Sequence, residues 1–249
     1  MTQPDASPQA LFLSPPEQSL LIWVRSWIYL AAFVAWTTAA AIACTPTLLS
    51  RRSTMIAIRM WIRGIMFLAR IVVGISCRVR GREHVPQGAC IIAAQHQSSF
   101  ETYRLFLELE HPVLILKREL TWIPIIGWYM MRAGLVSIDR SAGAGAMRKM
   151  LRSAHATLEA GYQVVVFPEG TRVPPGETRP YRPGIAALYA HCRVPLIPMA
   201  LNSGRLWGKT RVLKIPGEIT FQFLPALPAG LAKDQLLVEL QGRLEGAVL

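Results

Sequence analysis

One apolar run near the N-terminus constrains the structure of this chain more than any other feature. Residues 20–44 are mostly apolar, and Arg25 is the single charged side chain among them. About 20 consecutive apolar residues are enough for a helix to cross the hydrocarbon core of a bilayer. The run therefore predicts a helix that either contacts a membrane or lies buried in the core of a globular domain.

The residues beside this run favour contact with a membrane. Residues 55–74 form a second apolar stretch, in which Arg59, Arg63 and Arg70 fall on one face of a helix. Such a stretch is typical of a basic amphipathic helix at a membrane surface, and a surface helix packed on the domain is the alternative. Aromatic side chains cluster near one end of the first run and arginines follow the other, as at membrane interfaces: Trp23, Trp27, Tyr29, Arg51 and Arg52.

The distribution of charge indicates which anionic partner the chain meets. Lysine and arginine outnumber aspartate and glutamate by 27 to 15, a balance that suits nucleic acid or an anionic membrane. Six arginines and no acidic residue lie between residues 20 and 74, beside the apolar run. Because no basic run interleaved with aromatic residues follows in the rest of the chain, the pattern favours a membrane over nucleic acid. The bias of positive charge predicts that the side after residue 50 faces the cytoplasm.

Composition divides the chain into three parts. Residues 1–19 are polar and contain four prolines, which predicts a flexible tail, and they lack the basic start of a cleaved signal peptide. Residues 20–74 hold the two predicted N-terminal membrane helices, and residues 75–249 form the predicted globular domain. The four cysteines are scattered, so we expect neither disulfides nor a metal site.

The third part alternates between strand and helix patterns. Short apolar or β-branched runs predict strands, and longer stretches with helical spacing separate several of them. This alternation predicts an α/β fold with a central sheet and flanking helices. The predicted strands are 77–80, 90–94, 112–116, 135–138, 162–167, 195–201 and 221–224, and the predicted helices are 100–109, 147–160, 185–192 and 234–244.

A histidine and a glutamate follow the strand predicted at residues 90–94. His96 lies where a buried strand meets a helix, the position at which sites gather in open α/β sheets. Glu101, five residues later, could accept the imidazole N–H and leave the other ring nitrogen free as a base. The spacing equally fits a capping box between Ser98 and Glu101, with no catalytic role. A serine nucleophile is disfavoured because neither Ser98 nor Ser99 lies in a Gly-x-Ser-x-Gly turn.

Basic residues follow other predicted strands. Phe167-Pro168-Glu169-Gly170-Thr171-Arg172 comes directly after the clearest strand, and its glycine permits a turn with exposed amides. Arg172 offers a planar donor fork that suits phosphate, although a solvated surface arginine is the plain alternative. Lys117 and Arg140 also come at or just after strand ends. Several cations at one edge of a sheet would form an anion site.

Four blocks occur in an order that resembles a known family. Together they are similar to the motif blocks of the glycerolipid acyltransferase family, and most similar to its bacterial 1-acyl-glycerol-3-phosphate acyltransferases. The resemblance covers about residues 75–205, and the order of four blocks makes it specific. The blocks are His96-Gln97-Ser98-Ser99-Phe100-Glu101, Gly134-Leu135-Val136-Ser137-Ile138-Asp139-Arg140, Phe167-Pro168-Glu169-Gly170-Thr171-Arg172 and Val194-Pro195-Leu196-Ile197-Pro198-Met199-Ala200.

The resemblance implies a glycerol-3-phosphate acyltransferase-like fold and transfer of an acyl group to a lysolipid. Acyl-CoA or acyl carrier protein would be the donor, 1-acyl-glycerol-3-phosphate the acceptor and phosphatidate the product, without metal or cofactor. The family's catalytic histidine and acid correspond to His96 and Glu101. Its phosphate site implies a role for Glu169, Gly170, Thr171, Arg140 and Arg172, to which position alone adds Lys117.

The resemblance leaves alternatives open. The family usually has aspartate where this chain has Glu101, so the hydrogen bond to His96 needs slightly different geometry. The acceptor could instead be lysophosphatidylcholine or a lyso-ornithine lipid, and a non-catalytic lipid-binding tether is a further alternative. Membrane lipids are the expected partners, and the bacterial inner membrane is the expected location, with the catalytic domain facing the cytoplasm.

Overall fold

The computed structural model describes residues 20–139, 143–208 and 212–249. The predicted flexible tail at 1–19 and the predicted phosphate ligand Arg140 lie outside these ranges. The described chain forms an α/β fold in which helices cover both faces of one sheet, as the sequence predicts.

A seven-stranded sheet organises the described residues. Its strand order is β1-β7-β6-β2-β5-β3-β4, and every neighbouring pair is parallel except the antiparallel pair β6 and β7. The central strand β2 is buried along its whole length, as expected for a strand covered on both faces. The strands are β1 (Ile75–Arg80), β2 (Cys90–Ala94), β3 (Pro112–Lys117), β4 (Val136–Ile138), β5 (Gln163–Val166), β6 (Leu196–Leu201) and β7 (Gly217–Phe223).

Two apolar cores lie on opposite faces of the sheet. Ile92 of β2 joins the core formed with the first three helices, whereas its neighbour Ile91 joins the core formed with the fifth, sixth and eighth helices. This alternation follows from the two-residue period of side chains along a strand. The helices are α1 (Leu20–Ala43), α2 (Arg51–Leu68), α3 (Phe100–Glu108), α4 (Ile126–Arg132), α5 (Gly143–Glu159), α6 (Gly184–Cys192), α7 (Ser203–Leu206) and α8 (Lys233–Glu245).

Helix α1 lies along the globular domain and is attached to it near both ends. Near its start the Ser26 hydroxyl accepts a hydrogen bond from the backbone N–H of Lys214 at 3.0 Å. Near its end the Ala41 carbonyl accepts one from the Tyr129 hydroxyl at 3.1 Å. Among the described helices, α1 alone is long and apolar enough to cross a membrane. Its outward face exposes large apolar side chains, including Trp27 and Ile28.

Helix α2 begins at Arg51, four residues before the predicted basic helix, and a π-helical turn (Ala69–Val73) continues it. Its arginines have different environments. The Arg59 guanidinium donates hydrogen bonds to the carbonyls of Phe106, Leu109 and Glu110 at the end of α3, where a helix leaves carbonyls without partners. Arg63 and Arg70 remain exposed. Arg59 therefore stabilises the end of α3, whereas Arg63 and Arg70 face outward.

The packing of α2 yields a stability test. Ile65 is fully buried, whereas Ile56 on the same helix is 62% exposed. We expect Ile65→Ala to lower the free energy of unfolding by about 2–5 kcal/mol, because it removes buried methyl groups and leaves a cavity. Ile56→Ala should change it by less than about 0.5 kcal/mol. Denaturant unfolding in detergent measures both, and equal effects would show that α2 is not part of the folded core.

Candidate active site

His96 lies just beyond the carboxyl end of β2, in the short loop before α3. Its Nδ1 is 3.0 Å from Oε1 of Glu101, so the two residues form the pair that the spacing suggests. The imidazole stacks on the Phe167 ring with 4.2 Å between centroids, and its side chain is 16% exposed. Stacking and the carboxylate fix the ring, and the hydrogen bond at Nδ1 leaves Nε2 as the nitrogen available for proton transfer.

The carboxylate of Glu101 is buried and held by a dense set of hydrogen bonds. Burial by itself would raise the pKa of this carboxyl, but the hydrogen bond from His96 and the electrostatic interaction with that residue, together with the Ser98 donors, lower it below its ordinary value. Glu101 is therefore ionised at neutral pH. Besides His96, its oxygens accept hydrogen bonds from the N–H of Gln97 (2.8 Å), the N–H and hydroxyl of Ser98 (both 2.6 Å) and the hydroxyl of Ser203 (2.7 Å).

The capping and catalytic interpretations of Glu101 are both compatible with the structure. Oε1 accepts the Ser98 N–H, which is the return bond of a capping box. The Ser98 hydroxyl in turn accepts the N–H of Phe100 at 3.0 Å at the start of α3. The same Oε1 also bonds His96, so one carboxylate closes the helix start and orients the imidazole. Ser98 is fully buried and bound to this carboxylate, an arrangement that does not suit a nucleophile.

Ser203 belongs to the site although no sequence signal singles it out. It begins α7, directly after β6, and lies 102 positions from Glu101 in the chain. Its hydroxyl oxygen lies 2.8 Å from that of Ser98, so the two hydroxyls that donate to Glu101 are in contact. Because β6 and β2 are neighbours in the sheet, the ends of both strands meet at Glu101.

A large apolar cavity of about 1180 Å³ opens beside His96. Residues of α1, α2, α3, α4 and α5 contribute to its wall together with β3 and the loops that follow the strands, and His96 and Ser99 are among the lining residues. A cavity of this size exceeds the usual range for small-molecule sites and suits a long apolar ligand. The larger wall residues include Phe33, Trp61, Phe106, Ile123, Met147 and Met150.

Cations line the same cavity. Arg172 is on its wall with Gly170 and Thr171, and Arg182, which the sequence analysis did not single out, is there as well. Gly170 has a φ of +67°, and a Cβ at this position would lie 3.1 Å from the Arg182 side chain, so glycine leaves room for that arginine. Lys117 is on the wall too, half-exposed and 3.0 Å from the Glu119 carboxylate.

Glu169 has a different position from the other residues of its block. It is buried, it is not among the residues that line the cavity, and its Oε1 accepts the backbone N–H of His96 at 3.4 Å. Its Oε2 has no hydrogen-bond partner within the described ranges. Burial, reinforced by the charge of Glu101 and opposed by backbone hydrogen bonds, raises the pKa of Glu169 to about 7. This contact places Glu169 against the backbone of the loop that carries His96.

The described residues contain no group of histidine, cysteine, aspartate and glutamate side chains arranged to hold a metal ion. The site combines a histidine–carboxylate pair, an apolar cavity and several guanidinium or ammonium groups. This combination suits proton transfer at a hydroxyl group of an amphiphile that carries an anionic head.

The chain is similar in sequence to known proteins. Residues 76–202 match the family model described as Acyltransferase. The chain is 35% identical to the 1-acyl-sn-glycerol-3-phosphate acyltransferase of Pseudomonas aeruginosa, over 88% of this chain and 84% of that protein. It is 32% identical to the mouse 1-acyl-sn-glycerol-3-phosphate acyltransferase alpha, over 70% of this chain and 63% of the mouse protein.

A solved structure shares the fold. The crystal structure of the 1-acyl-sn-glycerophosphate acyltransferase PlsC from Thermotoga maritima superposes with a TM-score of 0.72. The match covers 90% of this chain and 96% of the Thermotoga chain at 20% sequence identity. Because 90% of the chain exceeds residues 75–249 alone, the match includes part of the chain before residue 75.

The raised pKa of Glu169 predicts how stability depends on pH. An ordinary glutamate titrates near 4.3, whereas Glu169 in the folded protein titrates at about 7. Between these values the folded state binds more protons than the unfolded state, so this residue makes stability fall as pH rises. Glu169→Gln keeps an acceptor for the His96 N–H and should flatten that part of the profile. Denaturant midpoints measured from pH 4.5 to 8 test this, and identical slopes in both proteins would contradict it.

Proposed function

Because this chain belongs to the acyltransferase family and is an O-acyltransferase, we propose that its acceptor is 1-acyl-glycerol-3-phosphate. It transfers a fatty acyl group from acyl-CoA or acyl carrier protein to the free hydroxyl of this lysolipid and forms phosphatidate. The observation that carries the proposal is the pairing of His96 with Glu101 beside an apolar cavity that His96, Arg172 and Arg182 line.

His96 acts as the general base. Its Nδ1–H donates to Glu101, so Nε2 carries the lone pair and accepts the proton of the lysolipid hydroxyl. The hydroxyl oxygen bonds to the thioester carbonyl carbon, the carbon–sulfur bond then breaks, and the imidazolium returns its proton to the departing thiolate. Glu101 remains ionised because its pKa is lowered, and it stabilises the imidazolium while that charge exists. The acceptor itself is the nucleophile, so no acyl-enzyme forms.

The cations hold the phosphate of the acceptor. Arg172 and Arg182 present planar donor forks to the cavity, and Arg182 lies directly against Gly170. Lys117 adds a charge at the half-exposed part of the wall, where Glu119 partly offsets it. Arg140 is a further phosphate ligand, as the motif blocks of the sequence imply. The apolar wall accommodates acyl chains, which lose contact with water as they enter.

Helix α1 attaches the protein to the inner membrane of a bacterium. Its contacts through Ser26 and Ala41 are 15 positions apart, which is roughly 22 Å along a helix. A helix held against the globular domain over that length lies along the membrane surface with its exposed apolar face in the lipid. The catalytic domain then remains on the cytoplasmic side, and the cavity lies at the level where a lysolipid resides.

The base assignment is tested by His96→Ala. We expect acyl transfer to lysophosphatidate in liposomes to fall by about 10²-fold or more, since a general base contributes about 10²–10⁴ in rate. Glu101→Gln should also lower kcat, because the amide cannot stabilise the imidazolium as a carboxylate does. His155→Ala, at a histidine of α5 outside the cavity, is the matched control. Full activity in folded His96→Ala would exclude His96 as the base.

The phosphate site is tested by Arg172→Ala. Loss of a hydrogen bond to a charged group costs about 1.5–3 kcal/mol, so kcat/KM for lysophosphatidate should fall about 10- to 100-fold. Arg179→Ala, an exposed arginine outside the cavity, should have little effect. Competition between acceptors completes the test: if wild type acylates lysophosphatidylcholine or a lyso-ornithine lipid in preference to lysophosphatidate, the proposed acceptor is wrong although the enzyme class stands.

A further inference from the structure

A second exposed apolar surface lies between β3 and β4, apart from the outward face of α1. It belongs to residues 118–132, which we call the portal segment, and which comprise a short 3₁₀ turn (Arg118–Trp122) and α4. Monomeric soluble proteins rarely expose several large apolar side chains together unless they form a contact. Five such side chains of this segment are between 40% and 65% exposed: Leu120, Trp122, Ile123, Trp128 and Met131.

The inner side of the portal segment is a wall of the cavity. Ile126, Tyr129 and Met130 line it, and Leu120 and Ile123 line it while also remaining partly exposed. A single layer of side chains therefore separates the cavity interior from the exposed patch at this point. Few other atoms would have to move for an apolar chain to pass from the outside of this layer to the inside.

The portal segment is attached to the corner between α1 and α2. The Tyr129 hydroxyl donates to the Ala41 carbonyl, and the Arg51 guanidinium donates to the Ala133 carbonyl at 3.0 Å. Arg132 also donates to the Leu49 carbonyl. Because Leu49 is itself strongly exposed at this corner, the patch on the portal segment continues the apolar surface of the N-terminal helices.

Chemistry at the patch favours a lipid surface as its occupant. Tryptophan combines a large apolar ring with one polar N–H and is enriched where membrane meets water. Arg52 and Arg132 are exposed beside the patch, and their charges suit an anionic bilayer. The charges of Lys117 and Arg118 are offset by Glu119 and Asp139. Arg52 and Arg132 therefore provide the attraction to the anionic bilayer.

We propose that the portal segment is a second membrane-contact surface, through which the lysolipid enters the cavity directly from the bilayer. Trp122 and Trp128 insert at the interface, and the acyl chain of the acceptor passes between this segment and the N-terminal helices. The inference rests on the proposed function for the identity of the lipid. The contact with the bilayer itself stands on the exposed patch, its charges and its continuity with the cavity.

The test compares one acceptor in two physical states. Wild type and the double variant Trp122→Ser, Trp128→Ser are assayed with long-chain lysophosphatidate in vesicles of phosphatidylethanolamine and phosphatidylglycerol, and with short-chain lysophosphatidate dissolved as monomers. We expect the rate with vesicles to fall about tenfold, equivalent to about 1.4 kcal/mol, and the rate with monomers to change less than about twofold. Binding of each protein to the same vesicles, measured by cosedimentation, should weaken in parallel.

Matched variants keep the result interpretable. Val238→Ser removes an apolar side chain that is 74% exposed on α8 and should leave both rates unchanged. Met131→Glu, in the portal segment, should reproduce the loss on anionic vesicles, and it replaces the double variant if that protein does not fold. Unchanged rates and vesicle binding in the portal variants would overturn the proposal, as would an equal loss with both acceptors.

Two further outcomes separate this inference from the proposed function. If wild type acylates lysophosphatidate in neither state, the acceptor assignment fails, and vesicle binding of the portal variants still decides whether the patch contacts lipid. Sedimentation velocity measures the oligomeric state of both proteins. If the wild type is a dimer and the double variant a monomer, the patch is an interface between two copies of the chain, and the proposal is overturned.

Discussion

The buried carboxylate of Glu101 is the interaction on which the site depends. An ionised carboxylate removed from water is costly unless hydrogen bonds and an opposite charge offset the lost hydration. Here the donors come from His96, the two residues after it, and Ser203 at the start of α7. The same contacts that keep the charge stable also join the ends of β2 and β6 and the start of α3. The same hydrogen bonds therefore orient His96 and hold this part of the fold together.

The strand order explains why distant parts of the sequence meet there. β5, β2 and β6 are adjacent and parallel, so their carboxyl ends lie at one edge of the sheet. This edge brings together the loop of His96, the turn of Gly170 and Arg172, and Ser203. The antiparallel strand β7 supports the edge from the side, since the Asn202 side chain accepts the Thr220 N–H at 2.8 Å.

Much of this could be predicted from the sequence, for identifiable reasons. The strands were predictable because β-branched and apolar runs stand between turn residues, and His96 and Glu101 are close enough in sequence for one helical turn to join them. Ser203 and Arg182 could not be found in this way, because their partners lie far away in the chain or on another loop. Helix α4 is not predicted because its seven residues make only about two turns, too few to show a helical spacing of apolar residues. The role of Arg59 at the end of α3 depends on tertiary packing, which the sequence pattern does not show.

The attachment of α1 and α2 has a practical consequence for handling the protein. These helices cover one face of the sheet, where Tyr29 and Ile62 pack in the same core as Ile92, Phe100 and Phe221. A shortened chain starting at residue 75 would leave that face bare and would open the cavity along the wall that Phe33 and Trp61 provide. Removing the N-terminal helices to gain a soluble fragment would therefore expose the apolar core that they cover.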